Sequence, residues 1–412
     1  MKFLLIFLTF VSFKAYGSSK SFQVEVTNPT EYTKHQYPIV IDLNGICDIN
    51  FPVNKAQVTF NNQIIPYQLD DIDGDGIKDE LCFMCDIESN SKKLFTVHLS
   101  ESMASSSFPI KVYNEMMLDD KRGNHPNISR LEAPGSSNIF NDLYHHGVAF
   151  ESELTAYRIY FDNRQNIDIY GKRYCRLELS ETHFYTDTLQ QSKGYGNDVL
   201  WAGSSIGCGS LKLWDGSHFM NWNDVNIRGQ RIVSCGPLRS IVEMYDLGVK
   251  VKDDVEYDIH TYYTQYTGHR DICVDIFLNR PILFPFLCTG VQKIGNTPEA
   301  ISSNGGIYPK GFIFNSLAAS WGCDYPEMGK KSEFPPEAVG LGIYLPSEYI
   351  VSSNIDDNNY LLVIGKKGQH HVRYYVSFCA SKEINGYHDA SSWFDFLSAW
   401  EPDAIKYEIK SL

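Results

Sequence analysis

The stretch Tyr144 to Lys172, YHHGVAFESELTAYRIYFDNRQNIDIYGK, puts two histidines, two glutamates, tyrosines and two arginines close together in the chain. Imidazoles titrate near neutral pH and commonly serve as acid or base, so His145 and His146 are candidate proton-transfer groups. In an extended strand, residues two apart share a face. Glu151, Glu153 and Tyr157 would then point one way, and Leu154, Ala156 and Arg158 the other. A row of two carboxylates and a phenol suits a concave substrate groove, although an ordinary outer sheet face alternates in the same way.

A second set lies in WDGSHFMNW, where Trp214, Asp215, His218 and Trp222 combine aromatic faces with hydrogen-bonding tips, the chemistry of sugar recognition. A third is IHTYYTQYTGHRD: His260, Tyr262, Thr264 and Tyr266 alternate onto one face, and His269 and Arg270 follow in a turn. Sheet packing by a strand-favouring residue accounts for such a tyrosine row more readily than catalysis does. Later come His370, His371 and Arg373 in QHHVRYY, readable as a surface strand. There is no Gly-rich phosphate loop after a strand and no HExxH.

The densest charge is in DDIDGDGIKDE, Asp70 to Glu80. Like charges at that density repel unless a cation sits among them. Counting from Asp71, carboxylates fall at loop positions one, three, five and nine (Asp71, Asp73, Asp75, Asp79). Gly76 stands at six and the Ile77 carbonyl at seven, the hard-oxygen spacing of an EF-hand-type loop. Position twelve is Cys82, so the bidentate Glu is missing, and the flanks QIIPYQL and LCFMCDI read as strands. The expectation is a structural calcium loop joining two strands.

These residues need elements to hold them. Residues 1–17 read as a secretory signal: Lys2, an apolar run from Phe3 to Phe13, and small residues before the cleavage point. No later stretch approaches the roughly 18 apolar residues of a spanning helix, and no cysteine marks a lipid anchor, so the expected location is periplasmic or secreted. A net charge of -14 argues against a nucleic-acid or anionic-membrane partner. Ten scattered cysteines lack the density of a disulfide scaffold and read mostly as small buried hydrophobes. With 26 Tyr and 24 Phe, the composition suits sheet cores and sugar-stacking surfaces alike.

From 18 to 100, short alternating segments separated by turn residues predict a small β-sandwich carrying the Asp-rich loop. Residues 101–143, rich in Ser, Asn, Pro and Asp, read as an irregular connection. From 144 to 412 at least ten longer strands predict large stacked antiparallel sheets, closed by a helix in DASSWFDFLSAWEPDAI with Trp393, Phe394, Leu397 and Trp400 on one face.

The motifs HHGVAFESELTAYRIYFD with DIYGK, DVLWAGSSIGCGSLKLWDG and IPYQLDDIDGDGIKDEL resemble the domain-of-unknown-function 4861 family. Its members are secreted proteins found largely in Bacteroidetes, often among polysaccharide-degrading genes. The main domain is also similar to the galactose-mutarotase-like supersandwich shared by aldose epimerases, polysaccharide lyases and some glycosidases. The resemblance implies an exported carbohydrate-active enzyme acting on a poly- or oligosaccharide, with no organic cofactor. For a lyase acting on uronates, Tyr157 or Tyr262 would move the proton. His146 or His218 would assist, and Arg158 or Arg270 would neutralise the carboxylate. For a glycosidase, Glu151 and Glu153 would pair. An aldose-epimerase-like protein and a non-catalytic glycan binder are the alternatives.

Overall fold

Alternation sets the first element. In the strand Ser19–Asn28, Phe22, Val24 and Val26 are buried and their neighbours face outward. The computed structural model describes residues 18–102, 107–294, 300–301, 307–308, 311–324 and 337–411, and the expected signal segment lies outside them. Ser19–Asn28 pairs with Ser91–Ser100 in a five-stranded antiparallel sheet. A three-stranded sheet of Lys34–Asp42, Glu80–Ile87 and Tyr67–Asp70 packs on it through Ile39, Ile41, Leu81, Phe83 and Phe95. This is the expected small sandwich.

The rest is larger and also antiparallel. A nine-stranded sheet is stacked on two five-stranded sheets around one continuous core. The fold class read from the sequence, all-β with a small sandwich and a supersandwich, is the one observed. Two boundaries differ from expectation. The last strand, Lys406–Ser411, leaves the main domain and pairs with Ser19–Asn28 at the edge of the first sheet. Within 101–143, Val112–Glu115 and Arg130–Pro134 are strands that join the main sheets, because short edge strands tolerate the Ser- and Pro-rich composition that hid them.

The helix Ala390–Ser398 forms as expected, with Asp389 accepting from the Ser392 amide at 2.8 Å. It lies close on the nine-stranded sheet: a Cβ at Gly340 would stand 2.6 Å from Trp393, so only glycine admits this approach. Among the described residues no helix is long and apolar enough to cross a membrane.

A buried polar joint fixes the small sandwich on the large sheet. Arg239, 2% exposed, donates to Asp70 and Glu80 at 2.7 Å each. The Gln68 side-chain oxygen accepts from the amides of Leu238 and Arg239 at 2.9 Å. Asp70, the first residue of the acidic stretch, thus belongs to the joint and not to the loop.

Candidate active site

Where the small sandwich meets the nine-stranded sheet, a groove of about 630 Å³ remains open. Its floor comes from strands whose register aligns five polar side chains in one row. Arg231 stands opposite Glu243, Glu243 opposite Tyr262, Tyr262 opposite Asp275, and Asp275 opposite Arg373. Opposed residues carry their Cβ atoms about 5 Å apart, so the row is continuous. Alternation puts it on the open side: in Glu256–Tyr266, Tyr257, Ile259 and Tyr263 enter the core, while His260, Tyr262, Thr264 and Tyr266 line the groove. This is the face expected from IHTYYTQYTGHRD.

Both carboxylates in the row are held by a histidine and an arginine. Glu243 accepts from His260 Nδ1 at 2.7 Å and from Arg231 Nε at 2.7 Å. Asp275 meets His371 Nε2 at 2.5 Å and takes two hydrogen bonds from Arg373, at 2.7 and 2.9 Å. Burial alone would push both carboxyls up, but the hydrogen bonds from these side chains and the arginine charges keep both below the usual carboxylate range. Tyr262 is pushed up to about 12, by burial first and then by the Glu243 charge beside it.

The consequences are chemical. A histidine whose Nδ1 donates to a carboxylate presents a bare Nε2 as a proton acceptor, so Glu243 orients His260 as a base. Tyr262, two residues along the same face and about 7 Å away at the backbone, keeps its proton and is suited to give it. Neither Glu243 nor Asp275 can act as an acid while each is held ionised.

Most of the site residues expected from sequence lie elsewhere. The stretch 144–172 is not one long strand. Gly147–Ser152 and Thr155–Tyr160 form a hairpin that turns at Glu153 and Leu154, so the proposed row of Glu151, Glu153 and Tyr157 does not exist. Glu151 is fully buried, bonded to Lys172 Nζ at 2.5 Å and to the amides of Glu178 and Leu179. Glu153 accepts from Thr267 and Gly268 and ties the two turns together. Tyr157 is core, its hydroxyl donating to the Arg270 carbonyl at 2.6 Å.

Arg270 pairs with Glu383 at 3.0 Å beneath Tyr387. Trp222 is 1% exposed and donates to the Leu211 carbonyl, so it stacks on no ligand. Trp214 and Asp215 border a separate pocket, and Asp215 caps the turn that carries the exposed His218. His269 lies between the domains, against the Gln36 carbonyl at 2.8 Å. His145, His146 and Arg158 gather on the outer face of another sheet. The four histidines 145, 146, 218 and 269 therefore do not converge.

In the Asp-rich loop, oxygens of Asp71, Asp73 and Asp79 lie within 4.8 Å of one another, a group able to hold a cation. Asp75 is not in it; its carboxylate accepts from the Ile77 amide at 2.7 Å.

Sequence reasoning missed Glu243, Asp275 and Arg231 as a set. Asp275 is a lone charge in an otherwise apolar strand, a visible signal, but nothing in the sequence states the cross-strand register that joins the three.

The protein is thus all-β, with a polar groove where the small sandwich meets the nine-stranded sheet. The chain belongs to the family described as domain of unknown function DUF4861, whose model matches residues 26–405. Among solved structures it is similar to a protein in the glycosyl hydrolase family 38 from Enterococcus faecalis (9% identity, TM-score 0.48, 95% of this chain and 47% of that one). It is also similar to an alpha-mannosidase from Enterococcus faecalis V583 (9% identity, TM-score 0.45, 95% and 46%). The chain spans about half the length of these two proteins. No curated protein matches it.

Proposed function

We propose that the protein is an exported carbohydrate-active enzyme that cleaves a glycan in the groove over Tyr262, by β-elimination at a uronate. The observation that carries this reading is the His260 and Tyr262 pair, one group oriented as acceptor by Glu243 and the other holding its proton. In the step, His260 Nε2 takes the proton α to the uronate carboxylate. The C–H electrons form the new double bond, the glycosidic C–O bond breaks, and Tyr262 gives its proton to the leaving oxygen. Arg373, 47% exposed at its side chain, faces the substrate carboxylate and makes the α-proton acidic.

A two-carboxylate hydrolase is less well supported. Glu243 and Asp275 have one strand between them, about 10 Å at the backbone, and neither is kept protonated as the general acid requires.

Calcium, held by Asp71, Asp73 and Asp79, is part of the proposal as a structural ion of the small sandwich. Export rests on residues 1–17.

The test is incubation with plant, algal and host polysaccharides, followed by absorbance near 235 nm and by reducing-end assay. Unsaturated products that disappear in Tyr262→Phe support the reading. Reducing ends without absorbance point to hydrolysis, and binding without turnover on every glycan overturns the enzyme.

A further inference from the structure

The outer face of the sheet formed by Gly147–Ser152, Thr155–Tyr160 and Ile167–Gly171 carries polar chemistry that the groove does not use. Its inner face packs Phe150, Tyr157 and Ile169 against Val242, Met244 and Tyr263 of the nine-stranded sheet. The whole core therefore separates this face from the groove.

At its centre Arg158 is 2% exposed and lies 4.1 Å from the Phe184 ring centroid. It pairs with Asp168 and donates to Tyr160 Oη at 3.2 Å and to Tyr185 Oη at 3.1 Å. Tyr160 in turn donates to Asp168 at 2.7 Å. Asp198, 3.5 Å from Arg158, has a side chain 34% exposed. Its carboxyl is raised well above the usual range, by burial first and then by the Asp168 charge. Arg158 is spent on Asp168 and on two phenols, so its charge is cancelled within the face, and burial favours the protonated form of Asp198.

Its outward atoms are not satisfied from within. The Tyr185 oxygen accepts from Arg158, and its own O–H has no acceptor among the described residues, while the ring is 43% exposed. His146 donates from Nδ1 to the Phe140 carbonyl at 2.9 Å and stacks on Phe140 at 3.8 Å, which leaves Nε2 as an acceptor. Tyr144 stands edge-on to Tyr185 at 6.1 Å. The backbone here is strained: His146, His183 and Phe184 have φ of 68°, 46° and 70°, values that side-chain-bearing residues adopt at a cost and that collect at ligand sites.

An unspent hydroxyl and an unspent imidazole nitrogen beside the exposed Tyr185 ring match a sugar ring bearing free hydroxyls. We propose that this face is a second saccharide site that binds a neutral glycan. Tyr185 and Tyr144 contact the ring, while His146 Nε2 and the Asp198 carboxyl meet its hydroxyls. No bond is made or broken there. The site holds a neutral glycan on the side of the molecule away from the groove, and it stands whether or not the groove is a lyase.

The probes are neutral hexasaccharides of cellulose, xylan, mannan and galactan, with binding read by calorimetry and by saturation-transfer NMR on the full chain. At least one should bind wild type, bind Tyr262→Phe equally well, and bind Tyr185→Ala about ten-fold more weakly. Tyr185→Phe, which keeps the ring and removes only the hydroxyl, should show a smaller loss and serves where Tyr185→Ala fails to fold. No binding by any of the four sugars, or binding lost in Tyr262→Phe and intact in the Tyr185 variants, overturns the proposal.

Discussion

The carbonyl oxygen of Ile72 accepts a hydrogen bond from Arg231 at 2.9 Å, and the same guanidinium holds Glu243 at 2.7 Å. One arginine thus links the acidic loop of the small sandwich to the row of groups beneath Tyr262.

The first prediction follows from that link. Calcium should raise the melting temperature of the wild type, by about 2.7 kcal/mol of stability at a hundredfold excess over Kd. Asp73→Ala should abolish the response. Calorimetric titration of both proteins checks it, and an identical melting curve with and without calcium would remove the ion from the account.

Tyr262→Phe should lower turnover about 10²- to 10⁴-fold while leaving the melting temperature close to wild type, since only a hydroxyl is lost. Because Tyr262 is held protonated up to about 12, its proton remains available throughout the alkaline range of an ordinary assay. A pH profile of kcat/KM should therefore show no loss of activity near pH 10 that vanishes in the variant.

Arg239→Met should cost about 3–5 kcal/mol, because it strands the Asp70 charge in the joint between the domains. Denaturant unfolding measures this. A loss under 1 kcal/mol would mean that the joint contributes little to holding the two domains together.

His269 gives a pH signature. Both its neighbours, Asp271 Oδ1 at 3.3 Å and the Gln36 carbonyl at 2.8 Å, are acceptors, so the ring satisfies both only when doubly protonated. Burial would push it down, but Asp271 and the carbonyl raise it overall. A raised histidine adds stability that is fully present below its unfolded value near 6.5 and fades as pH rises through the folded value. The wild type should lose more stability between pH 6 and pH 9 than His269→Gln does, as read from melting temperatures.

The elements were largely legible in the sequence, and the site was legible only in part. Alternation in FQVEVTN and in IHTYYTQYT placed Val24 inward and Tyr262 outward, because a period of two survives any tertiary context. The hairpin at Glu153 was missed because Ser152, whose hydroxyl accepts from the Leu154 amide at 3.1 Å, is a weak turn signal beside Glu and Leu, and one misplaced turn moved Glu151 and Tyr157 from an imagined groove into the core. Trp222 was read as a sugar platform from residue type alone, while its indole serves a carbonyl in the interior. Glu243, Tyr262 and Asp275 come from three strands, and only register makes them neighbours.

The pairing of Ser19–Asn28 with Lys406–Ser411 bears on the order of assembly. The small sandwich is begun by the earliest strand and finished by one that follows every strand of the supersandwich. During synthesis its first sheet waits with an open edge, a template for pairing with another chain. The domain made first is thus completed last, and the supersandwich folds in between with its partner still unsealed.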